Sequence, residues 1–210
     1  MGCKHSAPVS ETESNSKEYG PIRDIVGGDA ASKSYPLVGP EAIMKKKTHG
    51  TYIKPVQSKL RYGCDFKTAD NICNHNRHLA EHFGYFTSGP RRRAFNKAVK
   101  EAKAKNKSIT FFDSNTGLPL FTAPRGRSWD SFLNESSKHG WPSFRDAEVN
   151  WENVRCLRKG EAVSIHGTHL GHNLPDSSGN RYCINLVSIA GNPDGIDDTK
   201  EIMLYTDSAN

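Results

Sequence analysis

The chain has no run of about 18 apolar residues, so no helix is expected to span a membrane. It also shows no internal repeat and no aromatic-and-basic motif of a recognised nucleic-acid binder, which sets nucleic acid aside as a partner. Cysteine is scarce. The five residues, Cys3, Cys64, Cys73, Cys156 and Cys183, form an odd set with no signal-peptide pattern ahead of them. That argues against a secreted disulfide scaffold and fits a reducing, cytoplasmic compartment. Hydrophobic residues are few as well, at 35% with a mean hydropathy of -0.70, so part of the chain is expected not to pack. What is present is enough for one well-cored domain of roughly 150 residues plus a tail. A net charge of +6 and a pI near 9.0 admit acidic partners such as anionic lipid, though the simpler meaning is a basic solvated surface.

The first residues, Met1-Gly2-Cys3-Lys4-His5-Ser6, match the pattern for N-myristoylation of Gly2, with Cys3 suited to palmitoylation. One myristoyl chain holds a protein to a membrane only marginally, so Cys3 or a basic patch would be the second signal. The competing reading is an ordinary start in which Gly2 and Cys3 do nothing. Rich in Ser, Glu, Lys and Gly and without apolar periodicity, residues 1–45 are expected to be a disordered tail. A helical extension over 46–107 follows. Its first helix is expected over 68–83, where Ala69, Ile72, Cys73, Leu79, Ala80 and Phe83 share one face. His75, His78 and His82 line a different stripe, and two of them could share a metal. Nothing supplies the remaining ligands at a recognisable spacing, so a solvated face is preferred. A second helix after Pro90 buries Phe95, Ala98, Val99 and Ala102 and is strongly basic. It is either simply solvated or, with an acylated N-terminus, attracted to an anionic leaflet.

From residue 109 short β-type runs take over, at 109–112, 118–122, 154–157, 162–166 and 182–190. One helix over 128–138, with Trp129, Phe132 and Leu133 on its buried side, interrupts them. Arg158 to Glu161 carries a hairpin signal. The β-rich domain is thus expected over 108–191, and 192–210 is expected to be a peripheral tail with one last strand near 202–205.

Three clusters carry the chemistry. They are Gly140-Trp141-Pro142-Ser143-Phe144, His169-Leu170-Gly171-His172 continuing to Asp176, and Arg181-Tyr182-Cys183-Ile184-Asn185. Strand alternation puts Arg181, Cys183 and Asn185 on one side and Tyr182 and Ile184 on the other. A thiol beside a guanidinium is an activated thiol in prospect, because the positive charge favours the thiolate. His169 and His172 can move protons near neutral pH, and Trp141 offers an aromatic wall for an apolar group.

In this order, over about 110–191, the three clusters resemble the B-type methionine sulfoxide reductases, which reduce the R epimer of methionine sulfoxide. The resemblance implies a mainly β fold, a β-tent of two antiparallel sheets with flanking N-terminal helices and the site on an outer face. It implies that Cys183 attacks the sulfoxide sulfur and becomes a sulfenic acid, with Trp141 packing on the substrate methyl. It further implies that His169 and His172 help to protonate the oxygen, that Arg181 favours the thiolate and that Asn185 fixes local hydrogen bonds.

The sequence departs from the family in three places. Where many members hold a structural zinc in two Cys-x-x-Cys pairs, this chain has Asp113 with Thr116 and Val163 with His166, so no zinc and no other bound cofactor is expected. His139 stands where some members have a resolving cysteine, which leaves Cys64, Cys73, Cys156 or an external thiol to that task. The segment from Arg155 to His169 looks longer than usual and is read as an added hairpin. The expected function is thiol-dependent reduction of free or protein-bound methionine-R-sulfoxide by a monomer recycled by thioredoxin or a similar dithiol, with a membrane tether if Gly2 and Cys3 are acylated. The alternative is a non-catalytic or redox-sensing interaction module on the same fold.

Overall fold

The computed structural model describes residues 34–193. Gly2, Cys3 and their acylation, the tail up to residue 33 and the strand expected near 202–205 lie outside the described residues.

Two antiparallel sheets flanked by helices make up the fold. Strands β1, Ile109–Phe112, and β2, Pro119–Ala123, pair as a hairpin in which Ile109 faces Ala123 and Phe111 faces Phe121. The second sheet has five strands: β3, Ser143–Phe144; β4, Val154–Cys156; β5, Glu161–Ser164; β6, His169–Asn173; and β7, Tyr182–Ile184. Their spatial order is β3-β7-β6-β5-β4, which makes β7 and β6 interior neighbours. The hairpin expected at 158–161 joins β4 to β5, closed by Leu157 N–H donating to Glu161 O at 2.7 Å.

Among the described residues three α-helices flank the sheets: α1, Phe66–Asp70; α2, Gly89–Ala104; and α3, Trp129–His139. The apolar residues of α2, Phe95, Ala98, Val99 and Ala102, are all buried, as their spacing predicts. In α3 the side chain of Ser128 caps the first turn by accepting from Ser131 N–H, and Gly140 closes the last in the left-handed region at φ 81°. That stop is what starts the Trp141 segment. Between the sheets and helices lies a core of phenylalanines. Phe144 touches Phe121, Phe111 and Phe132 with ring centroids 4.3, 5.2 and 5.5 Å apart, and all four are buried.

Four expectations change. The helix expected over 68–83 ends at His75: α1 passes into a π-helical turn, Asn71–His75, and the chain then bends away. Two hydrogen bonds stop it. Thr51 N–H takes the Asn74 carbonyl at 2.9 Å, and the Asn76 side chain accepts from His78 N–H at 3.1 Å, a local bond that competes with helix. Ala69, Ile72 and Cys73 stay buried, while Leu79 and Phe83 are exposed and the histidine stripe does not form. The strand expected over 182–190 ends at Ile184, because the Glu81 carboxylate accepts from Leu186 and Val187 N–H and turns 186–188 into a 3-10 turn. Strands β3 and β6 arise where none was expected, since Gly171 and two histidines give 169–173 little β propensity and only pairing makes it a strand. Finally, the expected tail over 1–45 gives way to ordered structure from Ser34. Cys156 exchanges backbone hydrogen bonds with Leu37 and Gly39, and Met44 is buried against Leu157 and Val163.

Among the described residues, no helix is long and apolar enough to cross a membrane.

Candidate active site

Cys183 lies on β7 with a neighbour directly opposite on each side. Ser143 faces it from β3 and His172 from β6, and Glu161 of β5 in turn faces His172. Directly opposed residues of antiparallel strands share a sheet face, so Ser143, Cys183, His172 and Glu161 form one row across four strands. Tyr182 and Ile184 point to the other face and are fully buried. Arg181 Nη1 donates to Cys183 Sγ at 2.5 Å, and Ser143 Oγ lies 3.8 Å from the same sulfur. The guanidinium is held from behind: Arg181 Nε lies 3.3 Å from Asp176 Oδ2, and Arg145 donates to both oxygens of Asp176. Those hydrogen bonds from Arg145 keep the Asp176 carboxyl far below the usual carboxylate range, so it stays an anion.

Three residues apart on a regular strand, His169 and His172 would face opposite ways. A bulge corrects this. Ala162 pairs with Gly171 but the next residue, Val163, pairs with His169, so Leu170 is the extra residue and both imidazoles reach one side. Their ring centroids are 5.6 Å apart. The bulge needs glycine at 171, where φ is +153° and a Cβ would come within 2.1 Å of the Cys183 carbonyl oxygen.

The two imidazoles differ in environment. His169 is 1% exposed and its Nδ1 is 2.7 Å from Glu161 Oε1, so its ring is fixed and its Nε2 faces away from that carboxylate. Burial pushes the Glu161 carboxyl up, but hydrogen bonds from His169 and from Arg77 outweigh it, and Glu161 ends below the ordinary range. His172 is half-buried. Its burial, and then the His169 charge, hold its imidazole below 6.5. A cleft of about 760 Å³ opens beside His172 and Glu161, walled by Arg77, His78, Leu157 and Pro40.

Trp141 donates from Nε1 to Glu81 O at 3.2 Å, and Phe83 meets it edge to face at 5.7 Å. Phe83 also lies close against Gly140, so an exposed ring from the N-terminal extension widens the aromatic wall. Asn185 binds backbone on two neighbouring segments. Its amide accepts from Glu81 N–H and donates to Leu170 O, tying β7, β6 and the 76–88 segment together. Glu81 is 3% exposed, and burial raises its carboxyl to about 7 even against two backbone hydrogen bonds.

Sequence reasoning named Trp141, His169, His172, Arg181, Cys183 and Asn185, and these cluster on or beside β3, β6 and β7. It gave no role at the site to Ser143, Glu161, Arg77, Glu81 or Phe83. Ser143 had a signal, since alternation places it on the same side as Trp141. The others come from segments whose approach only the tertiary fold reveals.

The three candidate resolving cysteines are not brought to Cys183 equally. Cys156 pairs with Ala162, Ala162 with Gly171 and Gly171 with Ile184, so Cys156 shares the buried face of Ile184 on the opposite side of the sheet. It also lies three strands away, roughly 14 Å at about 4.8 Å per strand. Burial pushes its thiol up to about 12. Cys73 is fully buried with its thiol facing Ser188 Oγ at 3.5 Å, and burial raises it strongly. Cys64 is half-buried on the loop before α1, raised by burial and then by the Glu81 charge. His139 is partly exposed, and burial, then the Arg181 charge, hold its imidazole below 6.5.

The four positions that match the zinc pairs of the resembled family do not fit a thiolate cage. Val163 is buried hydrocarbon beside Met44. Asp113 is fully buried and accepts from Thr116 Oγ1, Thr168 Oγ1 and Asn115 N–H, which use its lone pairs in a closed polar network.

A cysteine on a sheet face, flanked by a guanidinium and paired histidines, makes a candidate thiol site. No protein-family model matches the chain. Over 89 residues it is 32% identical to a protein of Methanosarcina mazei named peptide methionine sulfoxide reductase MsrB, a match covering 38% of this chain and 64% of that protein. It is 35% identical over 88 residues to a protein of the same name from Thiobacillus denitrificans, covering 37% of this chain and 60% of that protein. The chain thus spans less than two thirds of the length of these relatives. Together the two similarities support an MsrB-like family.

Proposed function

We propose that this chain reduces methionine-R-sulfoxide, free or in oxidised proteins, with Cys183 as the attacking thiol. The observation that carries this is the row Ser143, Cys183, His172, with the Arg181 guanidinium on the sulfur. Arg181 stabilises the thiolate electrostatically, and the thiolate is the nucleophile. It attacks the sulfoxide sulfur while the substrate methyl rests against Trp141 and Phe83. His172 delivers a proton to the sulfoxide oxygen, and His169, its Nδ1–H given to the Glu161 carboxylate, donates from Nε2 to the same oxygen in its imidazolium form. In balance, one thiol and one sulfoxide give one sulfenic acid on Cys183 and one thioether: the oxygen moves between sulfurs, and two electrons move the other way. Two thiols of a thioredoxin-like reductant then return the sulfenic acid to thiol, with release of water and formation of a disulfide. Catalysis needs no metal or bound cofactor in this scheme. The unit that acts is a monomer.

Turnover of the separate R and S sulfoxides with a dithiol reductant tests the reading. Activity on R alone, abolished by Cys183→Ser, is expected. Activity on neither epimer sinks it in favour of a non-catalytic or redox-sensing module.

A further inference from the structure

Outside the thiol site, two imidazoles and a carboxylate converge from three segments that no motif spacing connects. His49 comes from the turn at 47–52, Asp70 ends α1, and His75 ends the π-helical turn that follows. His49 Nε2 lies 2.9 and 3.0 Å from the two Asp70 oxygens and 3.0 Å from His75 Nε2, and His75 Nε2 lies 3.6 Å from Asp70 Oδ2. One ligand atom from each residue falls within 4.8 Å of the others.

Hydrogen bonding alone satisfies this arrangement poorly. An imidazole nitrogen carries either a proton or a lone pair in the ring plane, never both. If His49 Nε2 is protonated, its single proton must serve Asp70 and His75 together. If it is not, its lone pair faces a carboxylate at 2.9 Å. A cation among the three atoms resolves the conflict, because every one of them then offers a lone pair. The spacing suits one. At metal–ligand distances of about 2.0–2.2 Å in a tetrahedral zinc site, neighbouring ligand atoms stand about 3.3–3.6 Å apart, and the three edges here, 2.9, 3.0 and 3.6 Å, lie within a few tenths of an ångström of that range.

The carboxylate is also held as a ligand would be. Asp70 Oδ1 accepts from Val56 N–H at 3.1 Å and from Asn74 Nδ2 at 3.0 Å, which fixes its plane. Gly50 lets the turn approach closely enough to bring His49 in, since a Cβ there would lie 1.9 Å from the Asn74 carbonyl oxygen. Two imidazoles with one carboxylate select zinc-type ions over calcium or magnesium, which prefer oxygen ligands throughout.

We infer that His49, Asp70 and His75 bind a divalent transition-metal ion of the zinc type. The ion cross-links the 47–52 turn to the end of the first helix. His75 is 41% exposed, so the fourth position opens to solvent. The site is separate from Cys183 and stands or falls independently of the reductase reading.

The test uses the full chain without an affinity tag, stripped with chelator. Titration calorimetry with Zn²⁺ and the visible absorption of added Co²⁺ read stoichiometry and ligand type. One equivalent, and a Co²⁺ spectrum free of sulfur charge-transfer bands, is expected. His75→Ala, whose exposed ring makes misfolding the lesser risk, should weaken binding by about 100-fold or more, and Asp70→Asn, close to isosteric, should do the same. The site is overturned by the absence of saturable binding, by equal affinity in both variants and the parent, or by a thiolate band that puts the ion on the cysteines.

Discussion

At the scale of single residues, the site rests on the difference between two histidines. His169 is locked by Glu161, whereas His172 is freer, and burial and then its neighbour's charge hold its imidazole below the usual 6.5. Glu161→Gln keeps the size but loses the charge that orients His169, and kcat should fall within the range of about 10²–10⁴-fold typical of general acid–base groups. His172→Gln should fall in the same range. With the His172 imidazole below its usual 6.5, its protonated form is lost as pH rises from the acid side. The parent should therefore gain kcat/KM, relative to His172→Gln, when the pH is lowered toward mildly acid values. Buried Glu81 gives a stability signature of opposite origin. A carboxyl raised from 4.5 to about 7 binds its proton more tightly in the folded chain, so its contribution is complete below 4.5 and is lost as pH rises through 7. Thermal unfolding of Glu81→Gln against the parent across that window should show the parent alone losing on the order of 3 kcal/mol.

At the scale of elements, Gly171 decides whether the two histidines share a face. Gly171→Ala forces a Cβ onto the Cys183 carbonyl at a positive φ, so it should destabilise the chain by more than about 1 kcal/mol and misalign the β6 and β7 rows. Urea unfolding and turnover should fall together. Much of this architecture was legible in the sequence. Alternation in Arg181 to Asn185 put Tyr182 and Ile184 inside, and the 3.6-residue spacing in α2 picked out its four buried residues. What was not legible depends on distant partners. The helix beyond His75 is undone by Thr51, β7 is cut short by Glu81, and 169–173 becomes a strand only because β5 and β7 flank it. The same limit hid Phe83, whose helical-face spacing pointed to the core while the chain bends and lays it on Gly140.

At the scale of the whole molecule, one aromatic core joins the two sheets and the helices, and Phe144 is its hinge, bonded to β7 on one side and stacked on β2 on the other. Phe144→Ala should cost about 3–5 kcal/mol, read as a lower denaturation midpoint with an unchanged slope. The same whole-molecule geometry bears on turnover. Cys156 lies on the far face of the sheet and Cys73 deep in the core, so alanine at both positions should leave repeated turnover with a dithiol intact. Loss of turnover in that variant with the fold preserved would assign the rescue of Cys183 to one of them. The central claim concerns Cys183 itself, and a single-turnover experiment reaches it most directly. Reduced protein, freed of reductant, is mixed with excess methionine-R-sulfoxide, and both methionine and the oxidation state of each cysteine are measured by mass spectrometry. About one methionine per chain, with one oxygen trapped on Cys183 as sulfenic acid, is the predicted result. Methionine formed undiminished by Cys183→Ser, or none formed at all, would contradict it.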